Sequence, residues 1–249
     1  MTSPSPALPS DPARGHSSAT LYEASGLPIA IDPRIRAAWT GARLCGPAFT
    51  VQGRGGDNLA LHHAVLAAPP GSVLVVDAEG AQHGHWGEVL AVAAQQRGIV
   101  GLLIDGGVRD REEQRGRGFP VFSRNDSVLG TQKAYPGLLG QPVLLGGVSI
   151  ATGDLVVGDA DGVVSLPASE VPRVLAAADA RVAHEQDVFA RLVSGATTVD
   201  LYGLPRRWPR QRTRRAHHAI GEPPAEVLVV DRDSTAAARP SPRARGGHL

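Results

Sequence analysis

Arginine and aspartate stand side by side at Arg109-Asp110, just after the apolar run Ile99-Val100-Gly101-Leu102-Leu103 and the stretch Ile104-Asp105-Gly106-Gly107-Val108. The run reads as a buried parallel strand leaving the core. Both charges are therefore expected at the carboxyl end of a sheet, where open α/β sheets bind ligands. A guanidinium grips a carboxylate in bidentate fashion, and a carboxylate holds a hard divalent metal. The pair thus suits an anionic substrate and a cation together. A plainer role is also open: Asp110 would cap a helix beginning at Arg111, with Arg109 in a surface ion pair.

Other reactive side chains carry weaker signals. His62, His63, His83 and His85 include a short His83-Gly84-His85 spacing, but neither a cysteine pair nor a His-Glu-x-x-His helix accompanies them. His85 falls just before Gly87 and would line any pocket there. Lys133 is the one lysine among 25 basic residues, so a Schiff-base mechanism runs through it or not at all. A lone lysine in a polar loop is more simply solvated. Glu88 suits the first turn of a helix through the dipole alone, and Asp57 or Asn58 suits a helix cap. Gly53-Arg54-Gly55-Gly56 and Gly106-Gly107 lack the spacing of a dinucleotide fingerprint.

The elements that must position these residues follow from pattern. Residues 20–45 read as helical, broken at Gly26-Leu27-Pro28, and Gly46–Val51 as a short strand. Leu59–Ala68 reads as a helix ended by Pro69-Pro70-Gly71, and Ser72–Ala78 as a strong strand. Gly80–Gly84 is a loop, Gly87–Arg97 a helix closed by Gly98, Ile99–Asp105 a strand and Arg111–Arg117 a short helix. Pro120–Ser123, Val143–Ile150, Leu155–Gly158 and Val163–Leu166 read as strands, the last two joined by the turn Asp159-Ala160-Asp161-Gly162. Ser169–Ser194 is a long helix with Ser169 as its cap. Strands alternating with helices and then hairpins give a mixed sheet in an α/β layered domain.

Composition sets the limits. The 249 residues, 42% apolar and 4% aromatic, allow one domain plus tails around an aliphatic core. The single cysteine, Cys45, excludes an internal disulfide and suits a reducing cytoplasm. No run reaches the ~18 apolar residues of a membrane span, and the Pro/Ser-rich start lacks a secretory pattern. Residues 1–19 read as a flexible leader, 20–204 as the domain, and 205–249 as a basic, mostly disordered appendage with an isolated strand at Glu226–Asp231. From Pro205 onward ten arginines stand against four acidic residues, about +6 on a body of about −5. Net charge of +1 gives no overall reason for nucleic-acid binding; the tail reads as a solvated extension, or else as a nonspecific polyanion contact.

Several motifs stand in a characteristic order. They are Gly56-Asp57-Asn58-Leu59-Ala60, Trp86-Gly87-Glu88-Val89-Leu90, Asp105-Gly106-Gly107-Val108-Arg109-Asp110 and Gly118-Phe119-Pro120-Val121-Phe122. Gly146-Gly147-Val148, Gly153-Asp154 and Asp159-Ala160-Asp161-Gly162-Val163-Val164 follow. Over residues 20–204 the chain resembles the family of regulator-of-ribonuclease-activity-A (RraA)-like proteins and class II 4-hydroxy-4-methyl-2-oxoglutarate / 4-carboxy-4-hydroxy-2-oxoadipate aldolases. The resemblance implies a β/β/α swivelling-type domain, assembled as a homotrimer or hexamer with sites between subunits.

It also implies roles. Arg109 matches the arginine that binds the substrate carboxylate, and Asp110 the direct ligand of Mg²⁺ or Mn²⁺. Gly87, Glu88, Val89 and Leu90 match the loop whose N–H groups receive the pyruvyl carboxylate, which a helix start suits physically. Glu88 would also touch metal-bound water, and Glu185 would be an acidic group lent by a neighbouring subunit. The expected reaction is cleavage of a small 4-hydroxy-2-oxo polycarboxylic acid to pyruvate, the metal stabilising the enolate oxyanion. A metal-bound water would serve as base, and oxaloacetate decarboxylation would be a side activity. The alternative is a non-catalytic regulator that binds a ribonuclease or other protein partner. That branch typically lacks the acid after the arginine, so Asp110 favours the enzyme.

Overall fold

The computed structural model describes Ala13 and residues 15–206. Contacts divide the chain into Met1–Leu204 and Pro205–Leu249, and the fold is that of the first unit. The expectations for residues 1–12, for the basic run beyond Arg206 and for a strand at Glu226–Asp231 lie outside the described residues.

Ser17 caps the first helix, α1 (Ser18–Ser25), its Oγ accepting from the Thr20 N–H; Gly26 ends the helix at φ +65°. The helix expected through residue 45 stops here, because Pro28 and Pro33 cannot continue its hydrogen-bond ladder. An irregular stretch leads instead to β1 (Arg36–Ala37) and β2 (Leu44–Gln52). The described part of the expected flexible leader, within residues 1–19, is ordered instead. Ala13 is buried, His16 Nε2 lies 2.8 Å from Asp179 Oδ1, and Ser18 donates through both N–H and hydroxyl to Asp159.

There follow α2 (Leu59–Ala67), β3 (Val73–Asp77), β4 (Gly84–Trp86), α3 (Glu88–Gln96), β5 (Gly101–Val108), α4 (Arg111–Gly116), β6 (Val121–Asp126) and β7 (Leu138–Leu139). β4 lies at the end of the expected loop; three residues are too few to show a period. The run Val143–Ile150 is not one strand. It folds back at Gly146-Gly147, both at positive φ, as the hairpin β8 (Val143–Leu145) and β9 (Val148–Ile150). β10 (Leu155–Gly158) and β11 (Val163–Leu166) form the expected hairpin. A 3₁₀ turn, Ala168–Glu170, leads into α5 (Val171–Val193), so Glu170 rather than Ser169 holds the cap position, and α6 (Thr198–Leu201) follows.

The main sheet runs β1-β6-β5-β3-β2-β10-β11, with β4 also on β5 and β7 also on β2. β6, β5, β3 and β2 pair in parallel, while β1, β10 and β11 join antiparallel. Val73-Leu74-Val75-Val76 is buried throughout, as a strand covered on both faces must be. On one face α2 and α3 pack through Leu61, Leu90, Ala94, Leu102 and Ile104; on the other the β8–β9 hairpin packs through Val143, Leu145, Leu103 and Phe122. A third cluster joins α1 and α5 to β10 and β11 through Leu21, Leu166 and Val174. This is the mixed, layered β/β/α arrangement expected. Among the described residues no helix is long and apolar enough to cross a membrane.

Candidate active site

β5 runs through Gly106-Gly107 to Val108, longer than the apolar run alone suggests. Its neighbour β4 enters the same carboxyl edge, in register Trp86↔Val108. Trp86, fully buried and stacked on Phe119 with centroids 5.8 Å apart, anchors the corner between β4 and α3. The Arg109 N–H donates to Trp86 O at 2.9 Å, fixing where the chain leaves the sheet.

Asp110 then adopts the left-handed conformation, φ +56°, ψ +46°. Aspartate tolerates this region better than most residues, yet it still costs about 1 kcal/mol. The turn carries the carboxylate back to α3: Oδ2 accepts from the Glu88 N–H at 2.9 Å. Asp110 makes no cap bond to α4, so the expectation that it caps the helix at Arg111 is replaced. It caps α3, whose own cap residue, Gly87, has no side chain for the task. Gly87 is needed for space: a Cβ there would fall on Asp110 Oδ2 and lie 3.1 Å from Arg109 Cγ and Nε. The Val89 and Leu90 N–H groups have no acceptor among the described residues, leaving two donors and the positive end of α3 open to an anion.

Arg109, Asp110, Gly87, Val89 and Leu90 line one cavity of about 200 Å³. The Arg109 and Asp110 side chains are 48% and 39% exposed, with Nε and Oδ2 3.7 Å apart. Both heads are thus reachable by a ligand and neither is closed off by the other. Asp110 is a hard oxygen donor, and no cluster of three His, Cys, Asp or Glu residues suited to a metal occurs among the described residues. A cation at Asp110 would therefore take most of its positions from water and ligand, as Mg²⁺ does.

The remaining expected residues are placed differently. The Glu88 N–H is at Asp110, but its carboxylate is held by Arg117, with Nη2 and Nε at 2.6 and 2.9 Å from Oε1. Glu185 lies on α5, 3.0 Å from Arg181 Nε, and Arg181 also bridges to Glu23. Asn58 holds the N-cap position of α2 without a side-chain cap bond, and the Asp57 carboxylate accepts from the Leu59 N–H at 2.9 Å instead.

Sequence reading missed three groups that share the cavity: Asn58, His62 and Lys133. Lys133 arrives on an irregular strap, residues 127–135, tied down at several points. Gly84 N–H donates to Leu129 O, Asn58 N–H to Gln132 O, and Ala134 and Tyr135 N–H to Asp57 Oδ2. Burial alone would raise the Asp57 pKa, but the Leu59, Ala134 and Tyr135 N–H bonds, with Arg54 nearby, outweigh it and hold the carboxylate below its usual range. The one available signal was that the chain's lone lysine falls in a motif-poor loop between β6 and β7. Burial, Lys133 and His63 push the His62 pKa down, keeping it neutral at pH 7. His85 is buried and also shifted down, chiefly by desolvation; its Nε2 accepts from the Gly56 N–H at 3.0 Å. His83 lines a different cavity of about 390 Å³ with Arg54, whose guanidinium lies 4.1 Å over the Tyr135 ring. His85 lines the site cavity beside His62, as its place before Gly87 predicts, while His83 faces elsewhere, and no histidine-based metal cluster occurs among the described residues.

The family description RraA-like (Aldolase/RraA) matches residues 18–165. A protein of Halalkalibacterium halodurans, provisionally named a 4-hydroxy-4-methyl-2-oxoglutarate aldolase, is 38% identical over 145 residues, 58% of this chain and 69% of that one. A crystal structure of an uncharacterised protein from Pseudomonas syringae superposes with TM-score 0.68 at 29% identity, covering 75% of this chain and 89% of that one. The Streptomyces coelicolor RraAS2, described as an unusual member of the RNase ES inhibitor RraA family, gives TM-score 0.63 at 31% identity, over 76% and 99% of the two chains.

Proposed function

The chain belongs to the RraA-like (Aldolase/RraA) family, and from that premise we propose that it is a divalent-metal-dependent carbon–carbon lyase. Its substrate would be a small 4-hydroxy-2-oxo polycarboxylic acid of the 4-hydroxy-4-methyl-2-oxoglutarate type, cleaved to pyruvate. One observation carries the reading: a guanidinium, a carboxylate and the open N–H groups of a helix start converge on one cavity.

In this reading the Val89 and Leu90 N–H groups receive the substrate's C1 carboxylate, and Arg109 clamps it with charge-assisted hydrogen bonds. Asp110 would hold Mg²⁺ or Mn²⁺, which when bound supplies Lewis-acid stabilisation of negative charge at the keto oxygen. Asp110 is itself oriented by the Glu88 N–H, and Gly87 leaves room for both charged heads. Neutral His62 is the cavity side chain suited to take up the proton of the substrate hydroxyl. The same stabilisation serves the enolate left when oxaloacetate loses carbon dioxide, so that side activity is part of the proposal.

A homotrimer or hexamer fits the exposed Val89, Val128 and Leu129 beside the site, surface that a neighbouring copy would cover. The neighbouring copy's Glu185 would then complete the site across the interface, and the Glu88 carboxylate of the same chain would reach the metal through water. A cytoplasmic setting accords with a single cysteine, Cys45, in the whole sequence.

Pyruvate release from 4-hydroxy-4-methyl-2-oxoglutarate or oxaloacetate, with and without Mg²⁺ or Mn²⁺, tests the proposal. Asp110→Ala should remove metal dependence and most turnover. Wild-type protein without metal-dependent turnover would leave the rival reading, a non-catalytic regulator that binds a ribonuclease or other protein partner, in line with the RNase ES inhibitor family to which the Streptomyces relative is assigned.

A further inference from the structure

The site cavity has a second cationic wall that the reaction as described does not use. Lys133 lines it together with Arg109 and Asp110. It makes no ion pair among the described residues, whereas Arg109, the other cation lining the cavity, stands 3.7 Å from Asp110. An unpaired cation facing a cavity is a seat for an anion. Its position is not left to chance, because the backbone on both sides of Lys133 is bonded: Gln132 N–H donates to Gly56 O, and Ala134 N–H to Asp57 Oδ2 at 2.7 Å.

A second observation points the same way. Asn58 is 7% exposed and lines the same cavity. Its Nδ2 donates to His85 O at 3.0 Å, which fixes the amide orientation, and its Oδ1 has no partner among the described residues. A buried carbonyl oxygen without a donor bears an uncompensated loss of hydration, so the cavity favours an occupant that brings a hydroxyl or amine to that atom. Cation and orphan acceptor together describe a ligand half bearing one carboxylate and one donor.

We propose that Lys133 is the specificity-determining residue of the site, reading the substrate's second carboxylate while Arg109 and the start of α3 hold the first. The proposal rests on the keto-acid reading of the Arg109–Asp110 end. It makes the protein selective for dianionic 2-oxo acids over their monoanionic counterparts. It also assigns the chain's single lysine to recognition rather than to Schiff-base chemistry.

The test uses the full chain in Mg²⁺ buffer and two acids that cannot undergo aldol cleavage, 2-oxoglutarate (dianion) and 2-oxobutyrate (monoanion). Calorimetric titration should give a preference for the dianion of roughly tenfold or more, the range of a charge-assisted hydrogen bond. Added salt should shrink that preference. Lys133→Met should bring it within about twofold, with thermal unfolding unchanged, whereas Lys133→Arg should keep most of it. An undiminished preference in Lys133→Met overturns the proposal, as does failure of wild-type protein to bind either acid. Binding of both acids with the expected preference but no turnover of any hydroxy acid would sink the lyase reading alone. Turnover with no Lys133-dependent preference would sink this one alone.

Discussion

Replacing Gly87 by alanine adds one methyl group at the point where three functional groups meet. Backbone strain does not enter, since φ −150° at Gly87 is open to any residue. Space does. The new Cβ would overlap Asp110 Oδ2 and sit 3.1 Å from Arg109 Cγ and Nε, whereas ordinary carbon contacts lie near 3.5–4.0 Å. The Asp110 carboxylate must retreat by roughly 1 Å, and a misplacement of that size costs about 100-fold in rate. Stability should barely change. The Asp110–Glu88 N–H bond that is lost is worth about 1 kcal/mol at a site this exposed, and the entropy that alanine removes from the unfolded chain returns about 0.4–1 kcal/mol. Gly87→Ala should therefore cut kcat/KM for pyruvate release about 100-fold while Tm moves by no more than about 2–4 °C. Gly116→Ala is the control, because a Cβ at Gly116 meets nothing within 4 Å; it should leave kcat/KM alone and raise Tm by no more than about 4–8 °C, the shift that about 1 kcal/mol produces. A Gly87→Ala protein with kcat/KM within about threefold of wild type would refute the placement of the chemistry at this junction.

Arg109→Lys should lower kcat/KM at least about tenfold, because an ammonium cannot reproduce a bidentate grip; wild-type kinetics would remove Arg109 from substrate binding. Trp86→Ala deletes a fully buried ring from the corner under the site and should cost about 3–5 kcal/mol in urea unfolding; a loss below about 1 kcal/mol would show that the corner repacks freely. Asp159 is a pH probe. Burial alone would raise its pKa, but the Ser18 hydroxyl and N–H and the Asp161 N–H outweigh it and hold the carboxyl below its usual value. The folded pKa lies below the unfolded one, so its stabilisation is complete above about pH 4 and is lost as pH falls through the folded pKa. The Tm gap between wild type and Asp159→Asn should thus shrink from about pH 5 towards pH 2, and a constant gap would contradict the assignment.

Local pattern was enough to place the parallel strands and helices that carry the site. The apolar runs at Val73–Asp77 and Gly101–Val108 and the glycine stops at Gly98 and Gly118 are short-range signals, and they survive folding because both faces of the central strands are covered. The errors fall where the chain's course is decided by distant partners. Val143–Ile150 reads as one strand because its apolar content is continuous, yet two adjacent glycines at positive φ turn it back on itself. Residues 20–45 read as helix, but Arg36–Ala37 pairs with β6 and Leu44–Gln52 with β3 and β10.

The same division runs through the site. Arg109, Asp110 and the Gly87–Leu90 helix start are legible in sequence, because each is a short motif with its own chemistry and the first two are neighbours in the chain. That Asp110 caps α3 instead of α4 is not legible, since it depends on a left-handed residue reaching an element 22 positions away. Nor is the Arg117 grip on the Glu88 carboxylate, nor the arrival of Asn58, His62 and Lys133 beside the Arg109–Asp110 pair. Composition and spacing chose which groups were available. Only the folded backbone, by bonding the 127–135 strap to the loops before α2 and β4, decided which of them face one another, because contacts between residues far apart in sequence exist only once the sheet brings its edges together.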